Sequence, residues 1–206
     1  MNAGPGTYVN HSIDMSALVR RSVASLYSHL VTRPTGQALR LGIESQLSEL
    51  GSFCVSVLDF TQVVVLDYSC ADEAVAKLIL RYQRDDRPAE AFFIARGVAE
   101  QHLEPIQAVL DRHQLALVAD VADHGFTVLG AVNDCERTAW SGLQKLGRAR
   151  ATEVARCAQL NEPEVATALK SLSQRRAVLH RADVFYSLPT LLANAIDPAP
   201  QQPAAQ

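Results

Sequence analysis

"VVVLDYSCADEAVAKLILRY", residues 63–82, decides how this chain is read. A run of apolar residues ends on Asp67, turns at Tyr68-Ser69-Cys70 and becomes an amphipathic stretch. A strand that stops on an aspartate and opens a helix can be a nucleophile elbow, a phosphate site, a phosphorylation switch or a helix cap. The elbow is set aside because Asp67 and Ala71 stand where G-x-S-x-G needs glycine. A Walker or Rossmann cradle is set aside because no glycine-rich loop is present. Ser69, with Asp72 three residues on, fits an N-cap of the capping-box kind.

Downstream the pattern repeats. "EAFFIARG" predicts a strand ending at Gly97, "VAEQHLEPIQAVLDRH" a helix, "LALVAD" (115–120) a strand and "FTVLGAV" (126–132) another. Upstream, "FCVSVLDF" (53–60) and "VVVLDY" (63–68) are strand-like with a tight connection at Thr61-Gln62. Residues 34–50 predict a helix burying Ala38, Leu41, Ile43 and Leu47 and stopping at Gly51. Residues 14–31 carry Leu18, Val19, Val23, Leu26, Tyr27, Leu30 and Val31 at helical spacing, so a helix is expected there too. Strands alternating with helices imply crossover connections and a largely parallel inner sheet.

This segment resembles the STAS domain family, which includes anti-sigma-factor antagonists. Asp59 in "LDFTQVVVLDYS" matches the family's leading aspartate, Asp67 the aspartate of its D-S-S-G signature, and Ser69 the second serine. Tyr68 and Cys70 depart from the signature, replacing its first serine and its glycine. The resemblance covers about residues 50–123 and implies an α/β fold, a non-enzymatic regulatory role and Ser69 as a regulatory phosphorylation candidate beside Asp67. It also implies a protein partner such as a histidine-kinase-like ATPase or a sigma-factor regulator. Asp67, Asp72 and Glu73 would surround a phosphate on Ser69 with like charge, which opposes the modified state.

After residue 133 the character changes. Residues 1–133 hold 10 Lys+Arg against 15 Asp+Glu, whereas residues 134–192 hold 9 against 6. Three helical stretches, "DCERTAWSGLQKLG", "ATEVARCAQL" and "EPEVATALKSLSQRR", precede two β-prone pieces, "AVLH" and "VFYSL". The segment resembles winged helix-turn-helix domains of bacterial regulators, with Val154, Ala155, Leu160, Val165, Leu169 and Leu172 at core positions. What it implies is DNA binding, with Asn161, Thr167 and Lys170 on the recognition helix and Arg148, Arg150, Arg175, Arg176, His180 and Arg181 beside it. Glu162 and Glu164 on that helix would repel phosphates, which leaves protein docking or dimerisation as the alternative.

The expected organisation is therefore an N-terminal flexible segment or edge strand (1–13), a STAS-like α/β domain (14–125) with a mixed sheet, and a small α+β winged-helix domain with its lead-in strand (126–192). A disordered Pro/Gln-rich tail (193–206) follows. Cys54, Cys70, Cys135 and Cys157 show no C-x-x-C pair, and the histidines lack zinc spacing, so neither metal nor cofactor is expected. With 48% apolar and 20% charged residues, no membrane-length apolar run and no signal sequence, a cytoplasmic, homodimeric regulator is the expectation.

Overall fold

The computed structural model describes residues 20–50 and 53–195. Its elements are β1 (Arg20–Ser25), β2 (His29–Leu30), α1 (Arg33–Leu50), β3 (Phe53–Asp59), β4 (Val65–Leu66), α2 (Tyr68–Ala71), a π-helical segment (Asp72–Ala76) and α3 (Lys77–Gln83). They continue with β5 (Glu90–Val98), α4 (Glu100–Arg112), β6 (Ala116–Val121), β7 (Gly125–Gly130), α5 (Asp134–Leu146), β8 (Arg148–Ala149), α6 (Ala151–Ala158), α7 (Glu162–Gln174), β9 (Val178–Arg181), β10 (Val184–Ser187) and α8 (Leu188–Ala193).

The central sheet has the order β1-β3-β5-β6-β7, parallel except for the β6–β7 pair. Sequential parallel neighbours joined by crossovers of one hand place their helices on one face. That face carries Cys54, Leu58, Phe93, Ala95, Leu117 and Ala119, packed against Ile43 and Leu47 of α1, Leu78 and Tyr82 of α3, and Ile106 and Leu110 of α4. The intervening residues Val55, Phe92, Ile94, Ala116, Val118 and Val128 point the other way. The residues after Val132 cover them, through Trp140 and Leu143 of α5, Leu169 and Leu172 of α7, Phe185 of β10, and Leu188 and Leu191 of α8. Alternation along each strand thus commits its two faces to two different parts of the chain.

Residues 134–193 form four helices and a three-stranded antiparallel sheet in the order β8-β10-β9. The β9–β10 hairpin turns on Ala182 and Asp183, with φ of +47° and +65°, the left-handed values a two-residue hairpin requires.

Four sequence expectations are corrected. Residues 20–25 and 29–30 are strand, not helix: β1 runs parallel to β3, and Ser22, Ala24 and the following Leu26 are buried at period two. Small and polar residues on the buried face hid that period beneath the chance helical spacing of the larger ones. The part of the expected helix before Arg20 lies outside the described residues, as do Gly51 and the termini. Within α1, Ile43 and Leu47 are buried as expected, but Ala38 and Leu41 face solvent, and Gly36 takes a buried place instead. "VVVLDY" provides only the two-residue β4, paired with β2, and leaves Val64 and Val65 exposed. Finally, "FTVLGAV" does not stand with the second module but forms β7, the antiparallel edge of the central sheet.

Candidate functional site

The corner that opened the sequence reading is built from Asp67, not Ser69. Asp67 is the N-cap: its φ of −93° and ψ of 163° are extended, and its Oδ1 accepts from the Cys70 backbone N–H at 2.7 Å. Ser69 lies inside the helix and donates its hydroxyl to the same Asp67 oxygen at 2.9 Å. The expected Ser69–Asp72 capping box does not form, because a carboxylate one residue before the helix is the better acceptor for its free N–H groups. Tyr68 remains half exposed and donates its hydroxyl to Glu104 at 2.7 Å.

Asp72 and Glu73 open the π-helical segment and are buried. Such segments recur at functional sites because the wide turn displaces side chains from the ordinary register. Here it sends both carboxylates inward among Arg33 and Arg40 of α1, Lys77 of α3 and His113 after α4. Arg33 donates to Asp72 at 3.1 Å and to Glu73 at 2.8 Å. Lys77 reaches Glu73 at 2.5 Å, Arg40 lies 3.7 Å from Glu73, and His113 Nε2 lies 2.7 Å from Asp72. Burial pushes the Asp72 carboxyl up, but hydrogen bonds with His113 and Arg33 outweigh it and hold the group below the usual carboxylate range. Glu73 follows the same logic, with Lys77 and Arg33 as the opposing partners. The like-charge surroundings expected for Ser69 are therefore largely compensated. Gly36 makes this possible, since a Cβ there would lie 2.8 Å from the Cys70 carbonyl oxygen and 2.9 Å from Glu73 Cβ.

The second set of candidates lies in residues 134–193. Asn161 is the N-cap residue of α7 but makes no side-chain cap bond, Lys170 is exposed, and Thr167 donates to the Pro163 carbonyl at 2.8 Å. Pro163, Thr167, Lys170 and Gln174 form one solvent-facing stripe on α7, while Val165, Ala168, Leu169 and Leu172 form its buried face. Glu164 and Thr167 also line a cavity of about 670 Å³ shared with Cys135 and Glu136 of α5. Arg148 lies in β8 and Arg150 at the start of α6, both exposed.

The four basic residues at the end of α7 and in the hairpin behave differently. Arg175 hydrogen-bonds the Ala131 carbonyl and pairs with Glu136 at 2.5 Å. Arg176 donates to the Ala91 carbonyl at 2.9 Å, pairs with Glu90 at 3.2 Å, and lies 4.2 Å above the centre of the Phe92 ring. Arg181 reaches the same Glu90 oxygen at 3.3 Å, and the His180 ring stacks on Phe185 at 4.2 Å. Burial pushes the Glu90 carboxyl up, but Arg176, then Arg87 and Arg181, hold it below the usual range. Sequence reasoning missed Glu90, Glu136 and Phe92. Apart from Arg87, three residues before Glu90, their basic partners lie 39 to 91 residues away in the chain, so little local marks them.

Among the described residues, no three His, Cys, Asp or Glu side chains converge as a metal site, and no helix is long and apolar enough to cross a membrane. Compared with protein-family models and with curated proteins, the chain matches none.

Proposed function

We propose that this protein is a non-enzymatic bacterial regulator in which a STAS-like interaction or sensory domain governs a DNA-binding winged helix. The observation that carries this reading is the exposed polar stripe of α7, set within the order helix, strand, helix, helix, strand, strand. A winged helix places its third helix in the major groove with short polar side chains toward the bases, and Thr167, Lys170 and Gln174 are of suitable types. Arg148 of β8 and Arg150 at the start of α6, both exposed, are in this reading backbone-positioning cations. The Asp67–Ser69 corner, with Tyr68 exposed beside it, is the proposed regulatory surface of the first domain, facing a protein partner.

Two observations favour a second reading, in which the winged helix docks a protein or a second copy. Glu162 and Glu164 occupy the first turn of α7, and Arg175 and Arg176 are engaged within the chain. Incubating the protein with sheared genomic DNA at near-physiological salt, then recovering and sequencing the bound fraction, separates the two. Discrete enriched sites support DNA reading, and their half-site spacing reports a dimer; uniform weak binding abolished by salt supports docking.

A further inference from the structure

We propose that Glu90 acts as an internal stand-in for a phosphate, latching the hairpin arginine Arg181 away from DNA until a regulator displaces it. The inference rests on the DNA-binding reading above. Glu90 is the first residue of β5 and its side chain is 21% exposed. One oxygen takes Arg87 at 3.0 Å; the other takes Arg176 at 3.2 Å and Arg181 at 3.3 Å. Three guanidinium groups around one anion are the recognition pattern of a phosphate oxygen, met here by a carboxylate of the same chain.

The three arginines are not equivalent. Arg176 is 10% exposed, stacked on Phe92 and tied to the Ala91 carbonyl, so it stays with the sheet. Arg87 is held by its own neighbourhood, donating also to the Arg84 carbonyl. Arg181 is 47% exposed, sits next to the hairpin turn, and has Glu90 as its ion partner. It is the cation that can exchange one oxygen ligand for another without disturbing the core. Release would add one positive charge to the hairpin, where a winged helix meets the DNA backbone.

The test measures anisotropy of a short labelled duplex across a salt series for the wild type, Glu90→Gln, Arg181→Gln and the double variant. Glu90→Gln keeps an acceptor for Arg176 but removes the charge that holds Arg181. The latch predicts about two- to fivefold tighter binding for Glu90→Gln, the range of an exposed ion pair. It also predicts a salt slope steeper by about 0.9, one added phosphate contact. Arg181→Gln should cancel that gain in the double variant and leave wild-type affinity unchanged. Equal affinity of wild type and folded Glu90→Gln overturns the latch while DNA binding stands. Loss of affinity in Arg181→Gln alone also overturns it, because the cation would then already be free; this arm holds even if Glu90→Gln unfolds. Absence of binding by every variant at low salt refutes the DNA reading, and the latch with it.

Discussion

Replacing Arg176 with alanine isolates the contact that fastens the two parts of the chain. The guanidinium is nearly buried, lies 4.2 Å above Phe92, and donates to the Ala91 carbonyl at 2.9 Å. A largely desolvated cation–π contact contributes about 1 to 2 kcal/mol. A hydrogen bond from a charged donor contributes about 1.5 to 3 kcal/mol. Against these, truncation ends the burial of the guanidinium, the main cause of its lowered pKa, and its crowding by Arg87 and Arg181. The Glu90 carboxylate keeps its other two arginines. The net expectation is a loss of about 2 to 4 kcal/mol, or roughly 6 to 12 °C in melting temperature for a chain of this size. Urea unfolding should be followed by far-ultraviolet circular dichroism and by the fluorescence of Trp140, the single tryptophan, which is 3% exposed beneath the second module. Both probes should report one coincident transition, shifted together. Arg176→Lys should recover only part of the loss, since an ammonium neither stacks nor forks. A change below about 0.5 kcal/mol, no more than an ordinary surface substitution, would refute this account of the junction.

Two glycines of α1 should respond in opposite directions in thermal melts. Gly36→Ala drives a methyl against the Cys70 carbonyl and should cost about 1 to 3 kcal/mol, whereas Gly42→Ala meets nothing within 4 Å and should gain about 1 kcal/mol from helix propensity. At the corner, Asp67→Ala should cost about 1 kcal/mol as a lost cap, and Ser69→Ala should cost less, reversing the order the sequence implied. Asp72 and Glu73 have carboxyls depressed in the folded state, so the stability they contribute is present above their ordinary values and is lost as pH falls through the folded ones. The urea midpoint should therefore drop on the acid side, and Glu73→Gln should flatten that slope; an unchanged slope would remove Glu73 from the network's acid sensitivity.

How much of this was legible in the sequence depended on which residues face inward. β3, β5 and β6 stood out because both of their faces are apolar, and α4 through its amphipathic period. β1 was misread because its buried face is Ser22 and Ala24, too small to register as a hydrophobic pattern, with Leu26 only just beyond its end. β4 was overcalled from three consecutive valines of which Val64 and Val65 lie on the surface. At the candidate sites, the Asp67 corner was visible but its roles were exchanged: a capping motif specifies the residue types, while the backbone decides which of two acceptors two residues apart takes the N–H. The arginines near the hairpin looked like a solvent-facing cationic group because their acidic and aromatic partners, Glu90, Phe92 and Glu136, belong to other elements. Linear charge counting has no access to such pairings.

The two-sided sheet also bears on any attempt to study the halves of this chain separately. A fragment ending before α5 would present Val55, Phe92, Ile94, Val118 and Val128 as a bare apolar wall, and the complementary fragment would expose Leu172, Phe185, Leu188 and Leu191. Each half is the other's shield from solvent, so excised pieces should be insoluble or should seek each other out when co-expressed. Activity missing from either fragment would then report a stripped surface rather than the absence of a function.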